Sequence, residues 1–253
     1  MLQRILYIII FSFSILPAFS QEEDSKFTDN SHDIGDRTLL YRHETTGGLM
    51  IHNEGWGFLF RKGKQITASR KRMYEIDLVG MKHPKEIKRA PLFNDARSYI
   101  YGKMNSFAIL RGGIGQQKVL NFSSDRNGIE VRYLCFGGLS LGLSKPMYLY
   151  IMHNSSGEYL PVVEKYDPDI HDLDNIYGRG PFYKGFSELN LHPGLYAKMG
   201  LSFEFATEDS FVKLLEAGVI ADGYLKNIPI MAYAQNKNLF FSFYLAFYLG
   251  GKK

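Results

Sequence analysis

Four carboxylates crowd the segment EKYDPDIHDLDNIYGRGP (164–181): Asp167, Asp169, Asp172 and Asp174, with Glu164 just before them. Hard oxygen donors at this density suit Ca²⁺, which takes six to eight oxygen ligands. The EF-hand loop pattern is missing, with no glycine at its sixth position and no glutamate at its twelfth. A solvated acidic loop with Asx turns around Pro168 is the competing reading. His171 inside the cluster adds a single imidazole, too little to define a transition-metal site.

The segment MKHPKEIKR (81–89) has the opposite character. Its cations, Lys82, Lys85, Lys88 and Arg89, can contact lipopolysaccharide phosphates, since each cation near an anionic membrane surface is worth about 1 kcal/mol. The charged rim of an ordinary loop is the alternative. A third set is scattered singly through apolar stretches: Glu75, Asp77, Lys103, Arg132, Lys198, Glu204, Glu216 and Asp222. Facing a common interior, these charges must pair, because an unpaired buried charge is expensive. Arg132 then has Glu204 or Glu216 as a prospective partner.

Nucleophilic chemistry has weaker support. His52, His192, Ser202 and Ser242 sit at the ends of apolar stretches, but no Gly-x-Ser-x-Gly elbow occurs and no Ser–His spacing is diagnostic. Within GGLSLG (137–142), Ser140 lies in an alternating apolar pattern rather than on a strand-to-helix turn. No catalytic residue is assigned. The glycines of RGGIG and GRGP lack the strand-to-helix context of a phosphate cradle.

The elements that must position these residues show a period of two. In NLFFSFYLAFYLGGKK (238–253), Leu239, Phe241, Phe243, Leu245, Phe247 and Leu249 share one face; Asn238, Phe240, Ser242, Tyr244, Ala246 and Tyr248 fall on the other. Residues 195–206 and 129–144 repeat the design, with small residues and single charges opposite the apolar face. A sandwich exterior would carry more Lys, Glu and Thr and fewer glycines. Small residues interrupted by single charges suit the narrow lumen of a barrel whose apolar face meets lipid. The fold class is therefore all-β, an antiparallel up-and-down transmembrane β-barrel. Eight strands are expected near 37–45, 48–61, 65–80, 98–111, 128–143, 194–206, 211–223 and 238–250. The facing of 48–61 is ambiguous, with Trp56, Phe58 and Phe60 favoured outward and Gly55 and Gly57 inward.

Bacterial barrels place short turns and both termini in the periplasm and long loops outside. With 238–250 descending to a periplasmic end, 207–210 and 61–65 become periplasmic turns, and 112–127 a longer periplasmic link. Residues 81–97, 145–193 and 224–237 become external loops. An eight-strand barrel is just wide enough for side chains to fill, so the inward charges form a polar plug.

Residues 1–20 read as a signal peptide: Arg4, an apolar run over 5–16, then PAFS with cleavage after Ser20. Residues 21–35 read as a flexible periplasmic arm, and 36–253 as the barrel. Removing the leader takes one Arg and no acid, so 29 basic residues face 26 acidic ones, a balance too even to imply a nucleic-acid partner. The single Cys135 excludes an internal disulfide and any Cys₄ or Cys₂His₂ metal site.

The stretches GGLMIHNEGWGFLFRKGK, YEIDLVGMKHPKEIK, YGKMNSFAILRGGIGQQKVL, VRYLCFGGLSLGLSKP and IPIMA resemble a group of small exported β-barrel proteins of Bacteroidota-type bacteria, a family without an assigned activity. The likeness runs over most of residues 40–250. It implies an outer-membrane location and a barrel fold, and supplies no catalytic residue. The expected role is structural or accessory in the cell envelope, through external loops that meet lipopolysaccharide or another envelope protein. No cofactor is expected beyond Ca²⁺ at the acidic segment. A lipid-modifying hydrolase or acyltransferase and a small-molecule pore are the alternatives.

Overall fold

In the computed structural model, residues 43–67, 69–91, 95–121, 129–155, 158–205 and 211–252 are described; the expected leader and arm lie outside them. The period-two stretches form eight long strands: β1 (His43–His52), β2 (Gly55–Thr67), β3 (Arg70–Met81), β6 (Asn105–Asn121), β7 (Ile129–Pro146), β11 (Asn190–Phe205), β12 (Phe211–Tyr224) and β13 (Leu239–Lys252). They close into one antiparallel barrel in the order β1-β13-β12-β11-β7-β6-β3-β2. Closure is made by β13 on β1, with Glu44 opposite Lys252 and His52 opposite Tyr244. Closing the sheet pairs the backbone groups of both terminal strands and removes the free edges an open sheet would carry.

Every strand alternates. Along β13 the odd positions from Leu239 to Leu249 are exposed and Phe240 to Tyr248 at even positions are buried. Trp56, Phe58 and Phe60 point outward and Gly57 inward, as favoured from the sequence. The inner face is more apolar than the small and polar lining expected from the sequence. Met50, Leu59, Met73, Leu134, Phe136, Leu214 and Ile220 fill much of it, so aliphatic and aromatic packing surrounds the inward charges. Glycines make room for these rings: a Cβ at Gly200 would lie 2.8 Å from the Tyr244 hydroxyl, and one at Gly142 would lie 2.8 Å from the Phe107 ring.

Strand limits differ from expectation in three places. The first hairpin turns at Asn53–Glu54, not near 46–47, because β1 runs through the glycines at 47 and 48. Residues 61–65 are not a turn. They continue β2, and Arg61 faces Glu75 of β3 across the register. Most of 112–127 is not a link either, since β6 extends to Asn121 and pairs with β7. In each case alternation continues through a glycine- or lysine-rich segment, whose composition imitates a turn while its backbone keeps pairing.

One end of the barrel carries the turn at Asn53–Glu54 and the long connections 82–104, 147–189 and 225–238. These loops add structure of their own. β4 (Lys88–Arg89) pairs with β5 (Tyr99–Ile100), and β8 (Tyr148–Ser155), β9 (Glu158–Lys165) and β10 (Ile176–Arg179) form a small sheet in the order β10-β8-β9. A short 3₁₀ turn, Phe186–Glu188, precedes β11. Among the described residues no helix is long and apolar enough to cross a membrane.

Candidate functional site

The inward charges meet in three tiers along the barrel axis. In the middle tier Arg61 is fully buried. Its Nη1 donates to Glu216 Oε2 at 2.8 Å, its Nε to Glu75 Oε2 at 3.0 Å, and its Nη2 to the Tyr248 hydroxyl at 2.7 Å. The guanidinium also lies over the Tyr248 and Phe136 rings, 4.4 and 4.7 Å from their centroids, where a desolvated cation gains from the ring quadrupole. Lys198 Nζ donates to both oxygens of Glu75 at 2.9 Å and stands 3.4 Å from Glu216 and 3.8 Å from Asp77. Tyr244 donates to Glu216 Oε1 at 2.7 Å.

Toward the loop end, Arg111 grips Asp222 in a bidentate pair, Nε to Oδ1 at 2.8 Å and Nη2 to Oδ2 at 2.7 Å. Two parallel charge-assisted bonds give this pair geometric as well as electrostatic definition. Toward the opposite end Arg132 donates to Glu130 at 2.8 and 3.0 Å and pairs with Glu204, which also pairs with Lys252; Lys71 reaches Glu44 at 2.6 Å. Among the described residues, these ion pairs join six cations and seven carboxylates. Near-balance of charge is what makes so many buried ions tolerable.

Of the eight inward charges expected from sequence, seven take part in these pairs. Lys103 does not. It sits in the 82–104 connection, where its ammonium bonds Glu86 at 2.6 Å, and burial lowers its pKa while Glu86 works the other way. Arg132 has Glu204 as a partner, and Glu216 belongs instead to Arg61 and Lys198. Sequence reading missed Arg61 and Arg111, the two largest buried cations. Arg61 was assigned to a turn and Arg111 to a strand end; continued alternation through KGK and GGIG was the signal that could have found them.

The loop end of the lumen is stoppered. Ile228, Ile230 and Met231 pack on Met81, Phe107, Ile109, Tyr224 and Phe240. The backbones of Met104 and Asn105 both donate to the Ile230 carbonyl, at 3.0 and 3.3 Å, and Ala232 N donates to Gly102 O at 2.8 Å. The IPIMA motif is therefore a plug, folded back over the barrel mouth by the 225–238 loop. Its neighbours lock to it: Tyr101 stacks on Tyr233 with ring centroids 5.8 Å apart, and the Tyr233 hydroxyl donates to the Pro168 carbonyl at 3.0 Å. Among the described residues, charges fill the lumen below and aliphatic side chains fill its mouth above. In planar bilayers the protein is expected to give no ohmic conductance, and steady single-channel steps would contradict the plug.

The other candidate groups separate. Ser144 Oγ and His192 Nε2 lie 2.9 Å apart, a pair invisible in sequence because β7 and β11 bring together residues 48 apart. Both face the lumen mouth, and among the described residues no carboxylate hydrogen-bonds the imidazole to complete a triad. His52, Ser202 and Ser242 lie on three different strands, β1, β11 and β13. At the acidic segment Asp167 Oδ1 accepts from Asp169 N at 3.0 Å, and Asp167 N donates to His171 Nδ1 at 3.0 Å, the Asx-turn geometry of the competing reading. Among the described residues no three acidic, thiol or imidazole groups converge as metal ligands.

Lys82, Lys85, Lys88 and Arg89 are all exposed. Lys82 is anchored by its backbone N–H, which donates to Glu54 O at 2.7 Å, and Arg89 lies 5.9 Å from the Tyr101 ring centroid. Lys82 thus stands beside the first hairpin, whereas Lys88 and Arg89 form β4 against Tyr99–Ile100.

No protein-family model matches the chain, and no curated protein matches it. Among solved structures the chain is similar to Neisserial surface protein A, at 13% identity over 84% of this chain and 97% of that one, with a TM-score of 0.38. It is similar at 10% identity, with the same coverage and TM-score, to Ail, the attachment invasion locus protein of Yersinia pestis, in complex with the heparin analogue sucrose octasulfate. At TM-scores below 0.5 these likenesses add nothing to the strand register, which by itself establishes the barrel. The likeness to exported barrels of Bacteroidota-type bacteria remains a resemblance of the quoted segments.

Proposed function

We propose that the protein spans the bacterial outer membrane and serves the envelope as a structural or accessory component through its loop end. A lumen packed with paired charges and stoppered by the IPIMA segment supports this reading, because it leaves the outer surface of the loops as the part able to act. The outward belt of Leu, Ile, Phe and Trp side chains on every strand matches a hydrocarbon environment. With long connections gathered at one end and shorter ones at the other, the loop end becomes the external face.

Two surfaces there suit partners. β9 is the edge of the small sheet and exposes Tyr159, Leu160 and Val162, so an extended segment of another envelope protein can add alongside it. The cationic edge of Lys82, Lys85, Lys88 and Arg89 suits lipopolysaccharide phosphates. Co-purification from detergent-solubilised outer membranes tests the accessory role. The expected result is a stoichiometric partner that is lost when Leu160 and Val162 are both replaced by Asp. Recovery of the chain alone, with native loops, would overturn it.

A further inference from the structure

The first hairpin differs from the other three at the loop end. Its turn is only Asn53–Glu54, where the others are long connections. The outward side chains of β1 and β2 therefore reach almost to the turn, and the chain leaving β3 at Lys82, His83 and Pro84 passes above them. Between the two lies a groove of about 760 Å³, floored by Leu49, Ile51, Trp56 and Phe58. A groove of this size falls within the range of small-ligand sites.

Its floor is apolar and uncovered: Ile51 is 70% exposed, and the Trp56 and Phe58 rings meet edge to face with centroids 5.3 Å apart. Its rim is cationic. Lys82 and Lys85 are exposed, and Lys237 of the 225–238 loop acts electrostatically on both Glu54 and His83. Glu86 is engaged by Lys103 at 2.6 Å, which leaves Glu54 as the one carboxylate in the groove lining. His83 Nδ1 accepts from Lys85 N at 3.2 Å, and burial pushes the imidazole pKa down, so the ring adds a neutral polar edge.

We propose that this groove seats one acyl chain of an outer-leaflet lipid whose phosphate headgroup rests on Lys82 and Lys85. The inference rests on the membrane-spanning reading above and deepens it by naming a position for the lipid. The apolar floor is continuous with the outward belt, so a lipid chain already lies against it. The cations stand just past the end of that belt, at the height of a headgroup. A neutral lipid would fill the floor equally well and gain nothing from the rim.

Trp56 is the only tryptophan in the chain, so its fluorescence reports on this groove alone. The full chain is placed in neutral bilayers doped with either brominated phosphatidate or brominated phosphatidylcholine at matched mole fraction. Phosphatidate is expected to quench Trp56 at a clearly lower mole fraction. Lys82→Ala should weaken that preference about fivefold, the loss expected for one cation near an anionic surface. Lys82→Arg should keep it, which separates lost charge from lost fold. Equal quenching by the two lipids, or a preference that survives in the Lys82→Ala, Lys85→Ala double variant, overturns the site and leaves the membrane reading intact. Absence of quenching by either lipid places Trp56 outside hydrocarbon and sinks both. Quenching that fades with rising protein concentration assigns the face to a second copy of the chain and overturns the lipid.

Discussion

Replacing Arg61 by methionine is expected to destabilise the barrel by about 3–5 kcal/mol, the cost of removing one partner from a buried ion cluster. Arg61 and Lys198 are the two cations among Glu75, Asp77 and Glu216 in the middle tier. Methionine preserves much of the volume against the Phe136 and Tyr248 rings but leaves Lys198 alone facing three carboxylates. The side chains of Glu75, Asp77 and Glu216 are all fully buried. The loss is read as a lower urea midpoint for the unfolding of the bilayer-inserted chain. Replacing Glu216 by methionine as well should recover most of it, because a buried pair contributes little beyond an apolar pair of the same shape. The exposed pair Lys165–Glu188, at 3.0 Å, is the contrast, where Lys165→Ala should cost less than about 1 kcal/mol. A single Arg61→Met variant as stable as the parent would show that the cluster does not hold the barrel.

Replacing Phe247 by arginine should cost about 2–4 kcal/mol in a bilayer, the penalty for a cation on the lipid face of a barrel strand near the midplane. Phe247 is 45% exposed on the outward face of β13, next to Tyr248 of the middle tier. In water the same change would be close to neutral, since exposed positions tolerate substitution within about 0.5 kcal/mol. The size of the effect therefore distinguishes a lipid-facing belt from a wet surface. Leu225, 84% exposed in the 225–238 loop, is the matched control, and Leu225→Arg should leave stability unchanged. Equal and small effects at both positions would remove the membrane from the account.

The experiments divide along the structure. Arg61→Met probes the packed lumen, Phe247→Arg the outward belt, and the Trp56 measurement the rim where belt and loops meet. The absence of conductance and the co-purification bear on the plug and the cap.

Much of this was legible in the sequence because the side-chain period of a strand is local. Alternation assigned the faces of β11, β12 and β13, placed seven of the eight named charges inward, and counted eight strands. Strand ends were less legible. A glycine-rich run such as TTGG or GGIG has the composition of a turn, and only pairing with a neighbouring strand shows that it continues one. Arg61 and Arg111 were lost for that reason, and Lys103 was gained wrongly, since a lysine just before a strand looks like one within it.

What the sequence by itself determined is the alternation, and with it the barrel, its eight strands and an interior bearing charge. Only the tertiary structure decided the partners. The bond from Arg61 to Glu216 joins residues 155 apart, the Ser144–His192 pair depends on the register of β7 on β11, and IPIMA becomes a plug only when its loop folds back over the mouth. The physical reason is range. A face is set by each residue's immediate neighbours, whereas a contact is set by closure of the sheet, which aligns positions that no local pattern connects.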